Sequence, residues 1–424
     1  MQGGKSSRGV AHPKKRRREM RIAPSTTSAP DRITREAPDL HPGLSSTNSR
    51  LRAVITGAGL LTPLGRTVAE TWDALLAARF ITDHSRAAGE FDRTSPRVIQ
   101  MARRVADQAL ADAGWSKQDD FATIVGTSKG SVESWLGNAT PLQHISKITY
   151  EAGGLDPAGL GDIAASLAAG YGLRLTVSAA CASGLLALIR GAMMIESGQA
   201  SRVLVVAAEA SVHPLFLASF KRLGVLPAPQ IGCRPFDRSR DGFLMSECAA
   251  AVCLRANMTG GGEESLAGAG DKMVAVERYA IGGDGTHLTA ADPAGRVLGH
   301  LIHKVTQSGH VDLIHAHGTG TLTNDPIELA ALESVFQNRT SAPCLYSHKG
   351  ALGHSLGAAG LVSVVLNHQA HRHGIIPPNI RTTNPLPTAA VQIHATTQER
   401  PIQRSLTLAA GFGGATAAIT LVSL

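Results

Sequence analysis

The stretch that decides the fold of this chain is Thr176-Val177-Ser178-Ala179-Ala180-Cys181-Ala182-Ser183-Gly184. A short extended apolar run leads into Cys181, and a helical pattern of apolar residues follows at once. This pattern is typical of a nucleophile at a turn between a strand and a helix, where small neighbours let a substrate approach the sulfur. Because a helix N-terminus carries partial positive charge, we predict a lowered pKa for Cys181. A buried structural cysteine is the alternative that this segment leaves open.

Two further segments place histidines in loops rich in Gly, Ser and Thr. They are His315-Ala316-His317-Gly318-Thr319-Gly320-Thr321 and Ser347-His348-Lys349-Gly350-Ala351-Leu352-Gly353-His354. Backbone can approach a ligand closely in such loops. A reactive cysteine with histidines elsewhere in the chain is a candidate catalytic set, so these segments favour catalysis over a structural cysteine.

Charge is distributed unevenly along the 424 residues, whose net charge is +8. Residues 1–50 hold 11 Lys or Arg against four acidic residues, whereas the remainder holds 30 against 29. The basic run Lys14–Arg18 is interpreted as a solvated patch, with a localisation signal as the alternative. A nearly neutral body argues against a nucleic-acid-binding core, which needs a basic face.

The five cysteines form no CxxC pair and no spacing typical of a zinc site, so we expect no metal centre. No apolar run reaches the roughly 18 residues that a spanning helix needs. We see no apolar segment typical of a secretory signal near the start. A reducing cytoplasm is therefore the expected compartment.

Strand and helix patterns alternate from Leu51 onward, which indicates α/β layering. We predict a disordered basic tail over 1–50, an N-terminal half over 51–255 that carries Cys181, and a C-terminal half over 272–424. The glycine-rich segment 256–271 is the predicted crossing between the halves.

Eight short motifs, in order along the chain, resemble those of the β-ketoacyl-acyl-carrier-protein synthases, the ketosynthases of the thiolase-like superfamily. Besides the cysteine and histidine segments they include Thr62-Pro63-Leu64-Gly65, Arg234-Pro235-Phe236-Asp237, Arg240-Asp241-Gly242-Phe243, Gly374-Ile375-Ile376-Pro377-Pro378-Asn379 and Gly411-Phe412-Gly413-Gly414. The similarity covers about 370 residues. It implies a five-layered αβαβα fold made of two pseudo-equivalent halves, and a homodimer.

The resemblance implies a decarboxylative Claisen condensation in fatty-acid or polyketide synthesis. Cys181 would take an acyl group from acyl carrier protein, and His317 and His354 would stabilise the enolate formed from a malonyl thioester. Backbone N–H groups of Cys181 and Phe412 would form the oxyanion hole, and Phe412 would also act as a gate. No bound cofactor is implied, since the phosphopantetheine of the carrier protein holds the substrates.

The remaining site residues are support and binding residues by the same resemblance. Lys349 would organise the site, supported by the carboxylates of Asp325 and Glu328. The pantetheine arm would contact three threonines, namely Thr289, Thr319 and Thr321.

Several positions depart from the family pattern and indicate a divergent member. Ser363 stands where a glutamate often pairs with the lysine, so we expect Lys349 to depend on Glu328 instead. His315 replaces an asparagine, and Leu408-Ala409-Ala410 replaces Asn-Ser-Phe before the gate, which would reshape the acyl pocket. Three alternatives stay open: an acyltransferase or thioester hydrolase on the same scaffold, a non-catalytic partner in a heterodimer, and a nucleic-acid-binding protein that uses the basic tail.

Overall fold

A computed structural model describes residues 51–137, 160–167, 172–258, 272–289, 291–307, 309–339 and 341–424. The predicted tail 1–50 lies outside these residues, as does most of the predicted crossing. The described elements, in chain order, are β1 Leu51–Leu61, α1 Val68–Leu76, α2 Arg97–Asp112, β2 Ala122–Gly126, α3 Val132–Gly137, α4 Leu160–Leu167, β3 Arg174–Val177, α5 Ser183–Glu196, β4 Arg202–Glu209, α6 Pro214–Arg222, β5 Cys248–Met258, β6 Val274–Gly283, α7 Arg296–Thr306, β7 Leu313–His315, α8 Asn324–Phe336, β8 Cys344–Tyr346, α9 Lys349–Leu352, α10 Ala359–His373, β9 Ile375–Ile376, β10 Gln392–Ile393, β11 Gln398–Glu399, β12 Arg404–Ala410 and β13 Ala415–Ser423.

Eleven strands form one sheet in the order β10-β8-β7-β12-β13-β6-β1-β5-β4-β2-β3. The junction in its middle is narrow, because β1 and β6 pair only at Val54 with Ala275 and Ile55 with Val274. On one side β3-β2-β4 are parallel and β4-β5-β1 antiparallel. On the other side β8-β7-β12 are parallel and β12-β13-β6 antiparallel. The same pairing pattern therefore occurs twice, which gives the two pseudo-equivalent halves.

Helices complete a stack of five layers. In the central layer, α5 packs on β4 and β1, α10 packs on β5 and β12, and the two helices contact each other. Outside the first half of the sheet, α2 packs on β1, β5 and β4, while α7 packs on β6 and β13 outside the second half. Each interface buries its own apolar cluster, so both sheet faces are covered. The predicted αβαβα architecture is confirmed.

Strand β5 is longer than the sequence pattern predicts. The apolar pattern of the sequence predicts a strand over 248–254, whereas β5 runs to Met258 with its last residues paired to the start of β1. Residues 256–258 thus belong to the sheet and not to a crossing, because β1 supplies backbone hydrogen-bond partners for them. The remaining residues of the predicted crossing, 259–271, lie outside the described part of the chain.

Candidate active site

Cys181 lies in a tight turn between β3 and α5, as the sequence predicts. Ser183 ties this turn: Ala179 N–H donates to its hydroxyl at 2.9 Å, and the hydroxyl donates to the Ala180 carbonyl at 2.6 Å. Ala180 has φ of 47°, in the left-handed region that favours glycine, so the turn stores backbone strain. The turn holds the half-buried thiol at the start of α5.

The Cys181 thiol is protonated at neutral pH, because burial raises its pKa from 9.0 to about 11. The charges of Lys349 and Lys129 act in the opposite direction and do not compensate. The predicted lowering of this pKa is therefore wrong. Although the sulfur is not fully covered, it lies in a narrow cavity where little water is left to solvate a thiolate.

The two histidine loops meet above the thiol. His317 follows β7, His354 follows α9, and their ring centroids lie 5.5 Å apart with nearly perpendicular planes. Both rings are buried. Burial and the nearby Lys349 charge hold the pKa of each well below 6.5, so both are neutral at pH 7. Two neutral N–H donors beside a thiol can stabilise a developing oxyanion.

One cavity of about 110 Å³ joins these groups. The sequence-predicted residues that line it are Cys181, Thr289, His317, Thr319, Thr321, His354 and Phe412. Thr319 and Thr321 are buried with their hydroxyls 3.0 Å apart, whereas Thr289 is exposed. Gly411 lies so close to the turn that a Cβ there would come within 3.2 Å of Cys181 N. The loop that carries Phe412 and the turn that carries Cys181 thus lie directly against each other.

Asp325 and Glu328 lie behind the cavity and hold the His317 loop by its backbone. Glu328 accepts from the N–H groups of His317 and Gly318 at 2.6 and 2.7 Å. Asp325 accepts from Phe236 N–H at 2.7 Å and Gly320 N–H at 3.1 Å. Asp325 lies in the first turn of α8, where the helix N-terminus also favours negative charge, and Glu328 follows three residues later on the same helix. Their contacts position the loop that carries His317.

Lys349 is the first residue of α9 and is buried behind the cavity. Burial lowers its pKa, and the nearby Glu328 charge is the largest effect that raises it again. In the described part of the chain the two form no direct ion pair, and both Glu328 oxygens accept from backbone amides. Glu328 thus acts on Lys349 electrostatically, through its charge and without a direct ion pair.

Two buried histidines were not predicted as part of the site. His315 Nε2 lies 2.9 Å from His348 Nδ1, and His315 Nδ1 lies 2.9 Å from Asn367 Oδ1. Asn367 Nδ2 donates to Thr407, so its oxygen accepts from His315 Nδ1–H, and His315 Nε2 then accepts from His348. This pair ties the strand before His317 to the residue before Lys349. The sequence does contain a signal for His315. It is the polar residue that ends the apolar strand Leu313-Ile314-His315, and it lies two positions before His317, on the same side of the extended backbone.

We predict an acid-labile fold because of these histidines. Burial lowers the pKa of His315 from 6.5 to about 3. Between pH 6.5 and pH 3 the unfolded chain binds a proton at His315 that the folded chain does not bind. The free energy of unfolding is therefore highest above pH 6.5 and falls as the pH drops toward 3. For this residue the loss is up to about 1.4 kcal/mol per pH unit. Urea unfolding of the wild type and His315→Asn across this range should show a shallower slope for the variant. His303→Asn, at an exposed position of α7, is the control. Equal pH dependence of the unfolding free energy in the wild type and both variants would contradict the prediction.

Comparison with known proteins identifies the family of this chain. The family model for the β-ketoacyl synthase N-terminal domain matches residues 77–259, and the model for the β-ketoacyl synthase C-terminal domain matches residues 273–383. The chain belongs to the β-ketoacyl synthase family.

Relatives of this β-ketoacyl synthase include a 3-oxoacyl-[acyl-carrier-protein] synthase and a polyketide ketoacyl synthase subunit. It is 28% identical to a mitochondrial 3-oxoacyl-[acyl-carrier-protein] synthase of Arabidopsis thaliana, over 90% of this chain and 95% of that protein. It is also 28% identical to the ketoacyl synthase alpha subunit of the tetracenomycin polyketide synthase of Streptomyces glaucescens, over 87% of this chain and 96% of that protein.

Solved structures show the same thiolase-like fold in ketosynthases. The ishigamide ketosynthase/chain length factor matches with a TM-score of 0.73 and 26% identity, over 89% of this synthase and all of that chain. A type II polyketide synthase complex of a ketosynthase and its acyl carrier protein matches with a TM-score of 0.75 and 22% identity, again over 89% and 100%.

Proposed function

We propose that this chain is a β-ketoacyl-acyl-carrier-protein synthase that condenses an acyl group on Cys181 with a malonyl thioester, releasing carbon dioxide. The observation that carries the proposal is the convergence of Cys181, His317 and His354 on one cavity. The threonines that line the same cavity can hold a pantetheine arm by hydrogen bonds.

Acyl transfer comes first. The sulfur of Cys181 forms a bond to the thioester carbon, the bond to the carrier sulfur breaks, and the thiol proton leaves with the carrier thiol. Because burial raises the pKa of Cys181, the proton leaves as the substrate arrives and no free thiolate accumulates beforehand. The N–H groups of Cys181 and Phe412 stabilise the oxyanion of this step.

Condensation follows in the same cavity. The bond between the malonyl carboxylate and its neighbouring carbon breaks, carbon dioxide leaves, and the electron pair forms an enolate. His317 and His354 donate hydrogen bonds to the enolate oxygen as neutral imidazoles, because burial keeps both uncharged. The enolate carbon then bonds to the acyl carbon, and the Cys181 sulfur leaves and regains a proton from solvent. The product is a 3-oxoacyl thioester on the carrier.

Decarboxylation separates this function from its alternatives. Incubation of the wild-type protein with acetyl and malonyl carrier protein should release carbon dioxide and yield a 3-oxoacyl carrier of the calculated mass. Acetyl transfer to Cys181 without carbon dioxide release would instead support the acyltransferase or hydrolase. A protein that neither acylates nor decarboxylates would support the non-catalytic partner.

We also propose a homodimer that works in the cytoplasm. Leu173 precedes β3, an outer strand of the sheet, and is 49% exposed, while Met193 on the adjoining α5 is 40% exposed. Exposed apolar side chains beside an outer strand favour an interface with a second copy. None of the described helices is long and apolar enough to cross a membrane. Within the described residues, no cluster of three or more His, Cys, Asp or Glu side chains could hold a metal ion.

Light scattering after gel filtration tests the assembly. We expect twice the chain mass of 44.1 kDa for the wild type, and a shift toward the monomer for Leu173→Glu, which would bury a charge at the interface. Leu424→Glu is the control, since Leu424 is similarly exposed, at 48%, but is the last described residue and far from β3 in the sequence. A monomeric wild type that assembles only with a second ketosynthase-like subunit would support the heterodimer instead.

A further inference from the structure

Helix α6 lies against the gate and the catalytic histidines through a row of aromatic rings. Its Phe220 lies 6.4 Å from Phe412 and 5.7 Å from Phe243, and Phe243 lies 4.9 Å from His354, all measured between ring centroids. An acyl chain on Cys181 that passes Phe412 toward Phe220 therefore runs along the face of α6 that carries Phe220.

The next residue on this face is Phe216, one helical turn before Phe220. Its ring is buried, and it belongs to one apolar cluster with Val132 and Phe220, against which Cys181 and Phe412 also pack. The Lys129 ammonium lies 5.6 Å above the ring centre, which adds a cation–π attraction. Phe216 is thus packed on both sides and held by a regular helix.

The cavity ends before Phe216. On the α6 side the cavity is lined by Phe220, Val225 and Phe243. Phe216 and Val132 are not among its lining residues. Phe412 lies between glycines in a loop, whereas the Phe216 ring is buried on a helix in one cluster with Val132 and Phe220, and this packing restricts its rotation. The bound chain therefore meets a fixed wall.

The helix spacing sets the available length. Cβ atoms four positions apart on a helix lie about 5–6 Å apart, and an extended chain advances ~1.2 Å per bond. An acyl chain can therefore extend by at most about four or five carbons past Phe220 before it meets Phe216.

We propose that Phe216 closes the acyl pocket and restricts this enzyme to short acyl groups of roughly two to six carbons. The inference rests on the proposed function, because it concerns the group transferred to Cys181. It assigns a specificity-determining role to a residue that makes no contact with the reacting atoms.

Acylation rates for a series of chain lengths test the proposal. The protein is mixed with acetyl, butanoyl, hexanoyl, octanoyl and dodecanoyl carrier protein, and the Cys181 adduct is followed by intact-protein mass spectrometry. We expect the wild type to react with the first three, and more than about tenfold more slowly with dodecanoyl carrier. Phe216→Ala should raise the dodecanoyl rate by about tenfold or more and leave the acetyl rate within a few-fold.

Matched variants keep the outcome decisive. Leu215→Ala removes a side chain that is 44% exposed on the same helix, and it should retain the wild-type profile. Phe216→Leu preserves most of the packing, so it should fold even where Phe216→Ala does not, and it should extend the accepted length by a smaller amount.

The outcomes distinguish this proposal from the proposed function. A wild type that takes dodecanoyl as fast as acetyl, or folded Phe216 variants with an unchanged profile, would overturn the chain-length proposal alone. Absence of any adduct, even with acetyl carrier, would overturn the condensing function as well.

Discussion

Cys181→Ala should abolish self-acylation, with no acyl mass retained on the peptide that contains this position. The reason is chemical, because the covalent intermediate needs a nucleophilic sulfur at the strand-to-helix turn. Incubation with acetyl carrier protein, followed by peptide mass spectrometry, measures the loss. Release of carbon dioxide from malonyl carrier protein should persist in this variant, since His317 and His354 remain in place.

Cys233 offers a matched control for this variant. It is a buried thiol whose sulfur lies 3.7 Å from the Thr319 carbonyl, close to the same cavity, and burial raises its pKa to about 12. Cys233→Ala should therefore keep full self-acylation. An acyl adduct that persists in Cys181→Ala and maps to Cys233 would contradict the assignment of the nucleophile.

His317→Ala and His354→Ala should each lower condensation by about 10²–10³-fold, the loss that is common when one donor to an oxyanion is removed. Acylation of Cys181 should fall by less than about tenfold, because the backbone N–H groups stabilise that step. The two half-reactions are measured separately, as adduct formation with acetyl carrier and as carbon dioxide release from malonyl carrier.

The difference between the losses of acylation and of decarboxylation is the part of this prediction that the experiment tests. His303→Ala removes an exposed histidine on α7 and should leave both half-reactions at the wild-type level. Equal losses of acylation and decarboxylation in the His317 and His354 variants would show that the two rings do not act on the enolate alone.

Local patterns in the sequence predicted most of the regular structure. The continuous apolar run 203–208 predicts a strand over 202–209, which coincides with β4. The amphipathic pattern over 96–113 predicts a helix that exceeds α2 by one residue at each end. Both patterns are clear in the sequence, because β4 is a continuous buried apolar run and α2 buries one apolar face. Helix α6 was not predicted, because its apolar residues Leu215, Phe216 and Leu217 are consecutive and show no helical period.

The position and type of the nucleophile were also evident in the sequence, because a strand, a turn of small residues and a helix are contiguous features. So were the loops that carry His317, Lys349, His354 and Phe412, since glycine-rich segments with these side chains stand out locally.

Tertiary structure decided how these groups act. The sequence indicated a thiolate at the helix start, whereas burial by distant segments keeps Cys181 protonated. The pairing of His315 with His348 and the wall formed by Phe216 likewise depend on packing between residues far apart in the chain. The sequence by itself determined which elements form and which side chains can react. Only the packed structure decided their charge, their partners and the length of the pocket, because desolvation and steric closure depend on segments that local patterns do not bring together.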